Sequence, residues 1–315
     1  MSSYVARPYE RESDLAALIP FAQELTRARQ PRSSYYHPGD FVWQLYAFDT
    51  SDDVRLWRRG AGDGAIAACA IFEPPLTFQF GISPTIAEPR DLTAEIIRWV
   101  EQRRALVADK EEIPLAYRGL GGGTLSTVAM DSDASRITLL IDSGFTQGPL
   151  SGVRFARGLE APLPAVVLPD GATFRRVSEG DVAARAELHR DAWSVWGPSK
   201  HSTERYQRLR SAPLYDPGLD IVLEFEGGMV SYCVCWLDSA NQIGYFEPVG
   251  TRPSATGRGF GRAVVREGFR RLREKGMTTA AVTTAFVNKP ALALYASAGF
   301  EQVDSEHTFV KSDPA

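Results

Sequence analysis

Ile243-Gly-Tyr-Phe-Glu-Pro-Val-Gly-Thr-Arg-Pro-Ser-Ala-Thr-Gly-Arg-Gly-Phe-Gly-Arg-Ala-Val-Val265 reads as a strand, a proline-punctuated turn, a glycine-rich loop and the opening of a helix. Pro253 cannot donate to a ladder, so the strand ends near Gly250. Gly257, Gly259 and Gly261 follow at spacing two, and the apolar pattern then turns helical through Ala263, Val264, Phe269 and Leu272. Glycines at the mouth of a helix let backbone N–H groups approach a ligand without a Cβ in the way. The helix start adds unpaired donors and a positive dipole end. The stretch suits a phosphate or pyrophosphate. A dinucleotide fingerprint needs a third glycine where Val264 stands, and a P-loop needs a lysine that is missing. A solvated glycine turn with a basic flank is the plainer reading of the loop taken alone.

A second stretch lies downstream: Asn288-Lys-Pro-Ala-Leu-Ala-Leu-Tyr-Ala-Ser-Ala-Gly-Phe300. Asn288 suits a helix cap, Pro290 a first turn and Gly299 a helix end. Ala291, Leu294 and Tyr295 share one face. This stretch resembles the closing motif of the GCN5-related N-acetyltransferases (GNAT), Asn-x-x-Ala-x-x-Leu-Tyr-x-x-x-Gly-Phe, at every specified position. Thr256-Gly-Arg-Gly-Phe-Gly261 resembles the same family's acyl-CoA loop, Arg/Gln-x-x-Gly-x-Gly/Ala, and departs from it at Thr256.

Composition sets the frame. At 315 residues the chain exceeds one typical domain. A net charge of −4 argues against a nucleic-acid partner. Cys69, Cys233 and Cys235 lack metal spacing and read as reduced, buried small hydrophobes, and no metal is expected. The N-terminus has no apolar core for a signal peptide, and no run is long enough to span a membrane. A soluble, cytoplasmic protein is the expectation.

In chain order, Tyr4 to Arg7 reads as a strand, and Ser13-Asp14 as the cap of a helix with stripe Leu15, Leu18, Ile19, Ala22 and Leu25. Ser33 to Pro38 reads as a polar, aromatic connection. Val54–Trp57, Ala65–Phe72 and Leu76–Ile82 read as strands, Asp91–Lys110 and Ala134–Ser143 as helices. A second copy of this order begins at Thr173, with a hairpin over Ile221–Phe225 and Val230–Leu237. Both copies end alike, in Leu139-Leu-Ile-Asp-Ser-Gly-Phe145 and Leu294-Tyr-Ala-Ser-Ala-Gly-Phe300. A period near half the chain means tandem domains: 1–160, a proline-rich linker over 161–172, and 173–315. The expected fold class is α/β (α+β), two tandem GNAT-like domains, each a mixed, largely antiparallel sheet flanked by helices. The first copy reads as degenerate. Ser83-Pro-Thr-Ile-Ala-Glu-Pro-Arg-Asp91 stands where the glycine loop should be, and Leu140 where Tyr295 is. Gly121-Gly-Gly123 reads as a flexible loop. Trp99 and Val100 are expected to pack against the second domain.

The resemblance implies acetyl-CoA as co-substrate and transfer of an acetyl group to a primary amine, by direct attack in a ternary complex. It assigns cofactor contacts to Val249, Gly250, Thr251, Thr256, Gly257, Arg258, Gly259, Phe260, Gly261, Arg262 and Asn288. Tyr295 would protonate the departing thiolate; otherwise it is an amphipathic core residue. Glu247, two residues from Tyr245 and Val249 and so on their strand face, would deprotonate the amine, or else brace the bend at Pro248. Trp193, Trp196, Tyr215, Asp216 and Tyr245 are candidate acceptor contacts, aromatics with a carboxylate being suited to a cationic amine. His189 and His201 have no ligand-like partners. A small-molecule amine is the expected partner. A protein acetyltransferase and a non-catalytic acyl-CoA sensor are the alternatives.

Overall fold

The computed structural model describes residues 4–29, 35–46, 51–60, 64–107, 124–199 and 201–312. In chain order it contains β1 (Tyr4–Pro8), α1 (Arg11–Arg29), α2 (Pro38–Phe41), β2 (Val54–Arg59), β3 (Ile66–Glu73), β4 (Thr77–Ile82), α3 (Arg90–Val107), β5 (Thr124–Met130), α4 (Ala134–Asp142) and β6 (Thr146–Gly158). The second half adds β7 (Thr173–Arg175), α5 (Val182–Trp193), α6 (Thr203–Arg210), β8 (Asp220–Phe225), β9 (Gly228–Asp238) and β10 (Ile243–Thr251). It closes with α7 (Phe260–Glu274), β11 (Thr279–Ala285), α8 (Lys289–Ala298) and β12 (Glu301–Ser312). Gly121–Gly123 and Lys110 lie outside the described residues. No described helix is long and apolar enough to cross a membrane.

The chain divides into two compact units. Unit 1 holds Met1–Tyr36, Asp49–Val153 and Asp304–Ala315; unit 2 holds His37–Phe48 and Arg154–Val303. The boundaries 1–160 and 173–315 therefore differ from this division at two crossovers. His37–Phe48 leaves the first repeat for unit 2, and most of β12 leaves the second for unit 1. The reason is pairing: β12 runs antiparallel to β5, from Glu306↔Met130 to Ser312↔Thr124. Residues 161–172 carry no helix or strand.

Unit 1 orders its strands β1-β2-β3-β4-β5, with β4 and β5 parallel and β1 to β4 antiparallel. Its core runs from Trp57 through Phe78, Phe80, Leu92, Ile96 and Val100 to Leu140, Phe145 and Phe309. Trp99 and Val100, expected to pack against the second domain, belong to this core instead. Trp99 meets Trp57 edge-on at 6.0 Å, because an apolar stripe on α3 finds its partner in the sheet beside it. α1 starts at Arg11 rather than after Ser13-Asp14. Asp14 lies one turn inside, accepting from Glu10 N at 2.8 Å and pairing with Arg7 and Arg58.

Unit 2 repeats the order as β7-β8-β9-β10-β11, again with one parallel pair, β10 and β11. Ser178 and Asp181 form a capping box. A buried polar knot ties α5 and α6 to β8. Asp220 accepts from Arg185 Nε at 3.0 Å, Tyr206 Oη at 2.6 Å and Tyr215 Oη at 3.0 Å. The Arg185 guanidinium stacks 3.6 Å from the Tyr232 ring centroid. A charge this deeply buried needs such partners.

Candidate functional site

β10 sets the site. It pairs with β11 only through Ile243↔Thr279, Gly244↔Ala280 and Tyr245↔Ala281. Beyond Tyr245 the two parallel strands no longer share a ladder, and the backbone from Phe246 to Thr251 presents an unpaired edge toward β11. On its other edge β10 follows β9, with a bulge between Phe246, opposite Cys235, and Val249, opposite Cys233. Pro248 has no N–H for the ladder, and the carbonyl of Glu247 turns out to accept from Trp236 Nε1 at 2.6 Å. The extra residue flips the strand's phase. Val249 therefore shares a face with Phe246, toward α7, where Phe246 packs on Gly268 and Cys233 Sγ meets Val264 O at 3.3 Å. The simple alternation that put Val249 beside Tyr245 and Glu247 fails at this bulge.

Past β10 the chain makes a single 3-10 turn at Pro253–Ala255, which Thr256 closes through Oγ1 to Pro253 O at 2.9 Å. Gly257 and Gly259 have φ of +77° and +85°, a region open to glycine at no steric cost, and Gly259 is the N-cap of α7. A Cβ at Gly257 would meet nothing within 4 Å, and one at Gly259 only Arg262 Nη2 at 4.0 Å. Open space therefore flanks the two glycines that lead into a helix 15 residues long, whose first N–H groups have no partner within the helix. Gly261 packs close to Thr251 Oγ1 and Leu294. Thr251 Oγ1 in turn bonds Ser231 Oγ at 2.8 Å, and Ser231 Oγ donates to Gly250 O at 3.1 Å, so the strand end and the helix start are braced together. Arg258 lies over Phe225, 4.2 Å from the ring centroid, while Arg262 is exposed on the first turn of α7.

α8 delivers Tyr295. Asn288 caps it, accepting from Ala291 N at 3.2 Å, and Gly299 ends it at φ +112°. The Tyr295 ring is buried, 5.9 Å from Phe155 and 5.7 Å from Phe300. Burial, reinforced by the charge of Glu247, holds its phenol well above the ordinary tyrosine range, so it keeps its proton at neutral pH. Glu247 is half-buried, and desolvation pushes its carboxyl up to about 8, with the charge of Asp40 adding to the push. Burial raises both groups, which makes Glu247 a stronger base and keeps the proton on the Tyr295 phenol.

The remaining sequence candidates have varied surroundings. Tyr245 is buried and stacks on His37 at 5.2 Å. Trp193 donates from Nε1 to Tyr232 Oη at 3.0 Å and stacks on His189. Trp196 is exposed on the turn after α5. Tyr215 is tied to Asp220, and Asp216 pairs with Lys275 at 2.5 Å while accepting from Gly218 N, so both are engaged in holding the fold. His189 and His201 face each other at 4.1 Å, and Tyr232 Oη lies 2.6 Å from His189 Nδ1.

Sequence reading missed the wall built by α2. His37 caps it, Asp40 accepts from His37 N at 2.7 Å, and the His37 ring reaches Ile243 O at 3.2 Å. Gly39 sits so close to Trp236 that a Cβ would overlap the indole at 2.3 Å. His37-Pro-Gly-Asp40 carried its signal, a capping box with proline at the first position. Its partner strands lie some 200 residues away, which no local pattern announces.

Residues 184–300 match the profile of the acetyltransferase (GNAT) family. This segment is a GNAT domain. It contains the glycine loop, Glu247 and Tyr295. A mycothiol acetyltransferase of Thermomonospora curvata is 33% identical over 144 residues, 45% of this chain and 48% of that protein. One of Streptomyces avermitilis is 28% identical over 200 residues, 59% of this chain and 65% of that protein. The matches thus span about half to two thirds of these relatives. Among solved structures, a GCN5-related N-acetyltransferase from Sphaerobacter thermophilus aligns over 99% of this chain and 96% of its own, with TM-score 0.64 and 20% identity. A tandem GNAT protein from the clavulanic acid biosynthesis pathway aligns over 99% of both chains, with TM-score 0.60 and 13% identity. At such identities the likeness is one of fold, and it extends the GNAT architecture to both halves.

Proposed function

We propose that the protein is an N-acetyltransferase that moves the acetyl group of acetyl-CoA to the primary amine of a small molecule. One observation carries this reading: the open glycine mouth of α7 lies at the end of the same strand that holds Glu247. Gly257, Gly259 and the first N–H groups of α7, with Thr256, Phe260 and Gly261 shaping the turn, suit a pyrophosphate. Arg258 and Arg262 add positive charge. The unpaired edge of Val249, Gly250 and Thr251 suits the amides of the pantetheine arm, and a backbone N–H there stabilises the oxyanion. Asn288 is spent on capping α8.

In this scheme the amine nitrogen attacks the thioester carbon, a C–N bond forms and the C–S bond breaks. Glu247 takes the proton from the amine, and the thiolate takes one from Tyr295. Asp40, Tyr245 and Trp193 give the acceptor side an acidic and aromatic lining suited to a cation. The relatives' name puts the mycothiol acetylation acceptor first among amines to assay. The test follows acetyl-CoA loss and product by chromatography over an amine panel, with Tyr295→Phe as control. Turnover of at least one amine, lowered in the control, supports the reading. Tight coenzyme binding with no turnover on any amine favours a sensor.

A further inference from the structure

Unit 1 repeats the construction of unit 2 with one long side chain in a different place. Its parallel strands β4 and β5 share a ladder of one pair, Thr77↔Ser126. Ser126 N reaches across it to Leu76 O at 2.9 Å, and two residues on, from the same edge, the Val128 carbonyl faces β4. The helix that follows each parallel pair starts alike. Asp133 accepts from Arg136 N at 3.1 Å in α4, as Asn288 does from Ala291 N at 3.2 Å in α8. Both helices end in Gly-Phe, at Gly144-Phe145 and Gly299-Phe300. Counted from the caps, Leu140 stands where Tyr295 does, and Arg136 where Ala291 does.

Ala291 offers a methyl group. Arg136 reaches into the gap: Nη1 donates to Phe80 O of β4 at 2.8 Å, and Nε to Val128 O of β5 at 2.9 Å. Its guanidinium is sandwiched 3.8 Å from the Phe80 ring centroid and 4.3 Å from that of Tyr35, and the residue is only 7% exposed. Parallel strands that part leave carbonyls in need of donors. A guanidinium, with five N–H groups in a rigid fork, supplies them on both sides at once.

We propose that Arg136 is a built-in occupant of the β4–β5 cleft, closing in unit 1 the slot that in unit 2 receives the amide-bearing arm of an acyl-CoA. The comparison with unit 2 rests on the function proposed above; the occupancy by Arg136 does not. The third position after the helix cap, small in α8 and arginine in α4, sets whether the strands' polar edge is open to a ligand or satisfied from within.

The experiment has two arms. Arg136→Ala should lower the thermal midpoint by about 5–10 °C, since buried carbonyls lose their donors. Methylguanidinium at low millimolar concentration should restore part of that loss, ethylammonium should not, and the wild type should respond to neither. A variant of unchanged stability, or one that methylguanidinium fails to stabilise selectively, overturns the proposal. In the second arm, Ala291→Arg transplants the occupant. Acetyl-CoA affinity should fall by at least ~100-fold while the fold and midpoint are retained; a folded variant that binds the coenzyme normally refutes the equivalence. If Ala291→Arg does not fold, the methylguanidinium arm decides. A wild type that binds no acetyl-CoA removes the function proposed for unit 2 and leaves Arg136 to be judged by the rescue alone.

Discussion

Lowering the pH from 7.5 to 5.5 should unfold unit 2 more easily, through three buried histidines that the raised carboxyl of Glu247 only partly offsets. Burial pushes His189 down to about 2, helped by His201 and by Arg185, Arg205 and Arg190. Burial and the same arginines push His201 down to about 3. His37 is pushed down to about 4 by burial, with the Asp238 carboxylate opposing. Each is neutral in the fold at pH 5.5, whereas in the unfolded chain each titrates near 6.5 (roughly). The unfolded state therefore binds more protons as pH falls, and stability present above about 6.5 is lost on the way down toward the folded values. At pH 5.5 the loss is about 1.4 kcal/mol per histidine, or about 4 kcal/mol for three, against a total stability of roughly 5–15 kcal/mol. Depressed carboxylates such as Asp14 and Asp181 act only at lower pH, whereas Glu247, lifted to about 8, takes up its proton in the fold over this range and returns about 2.5 kcal/mol, leaving a net loss of about 1.5 kcal/mol. Urea titrations followed by tryptophan fluorescence, with Trp43, Trp193 and Trp236 reporting from unit 2, give the measurement. In the double variant His189→Gln, His201→Gln about 2.7 kcal/mol of that loss disappears, so the net loss should vanish or turn into a small gain, His37 and Glu247 remaining in opposition. A wild-type urea midpoint that is the same at both pH values, or a double variant with undiminished pH dependence, refutes the reasoning.

Four further outcomes follow from the same geometry. Glu247→Gln should cut kcat/KM by about 10²–10⁴-fold and abolish a rise in rate centred near pH 8, the pH to which burial lifts this carboxyl; a rising limb that survives the substitution would assign the proton to another group. Tyr295→Phe should lower turnover more than acetyl-CoA affinity, since the hydroxyl acts on charge that develops only during reaction, and equal effects on both would mark Tyr295 as a packing residue. Gly259→Glu should abolish coenzyme binding in an equilibrium titration, because φ +85° strains any side chain there and its carboxylate would take the pyrophosphate's place at the mouth of α7. Asp220→Ala should destabilise the protein by about 3–5 kcal/mol in urea, because it strands the buried Arg185 charge; a loss under 1 kcal/mol (roughly) would show that Arg185 finds another partner.

Local signals were legible in the sequence, and long-range ones were not. The α7 mouth and the α8 cap announce themselves within a dozen residues, because glycine conformations and capping bonds are short-range physics. The Val249 face was misjudged since a bulge depends on what the neighbouring strand offers, here the Trp236 indole. β11, Thr279-Ala-Ala-Val-Thr-Thr-Ala285, was not read as a strand; it is small, polar and without clean alternation, and its place comes from pairing with Ile243–Tyr245. β12 and His37–Phe41 fold into the unit opposite their repeat, a choice made by registers such as Phe309↔Thr127 that no periodicity encodes.

The two units answer one physical problem in two ways. A sheet in which a parallel pair parts must satisfy the polar edge it exposes, or hold it ready for a ligand. Unit 2 follows its strand with glycines of positive φ, keeps Ala291 small behind the Asn288 cap, and sets a protonated phenol, Tyr295, one turn further on. Unit 1 follows β4 with Ser83-Pro-Thr-Ile-Ala-Glu-Pro-Arg-Asp91, fills the gap with Arg136 and carries a fully buried Leu140 at the tyrosine's position. These differences are coupled by the geometry. An arginine across the strands excludes an extended ligand arm, and with the arm excluded neither a phosphate-seating loop nor an acid beside it has anything to act on. A glycine loop grafted before α3 would therefore create no site while Arg136 remained, and removing Arg136 without the loop would leave a cleft lacking an anion seat. The asymmetry lies in three positions that must change together.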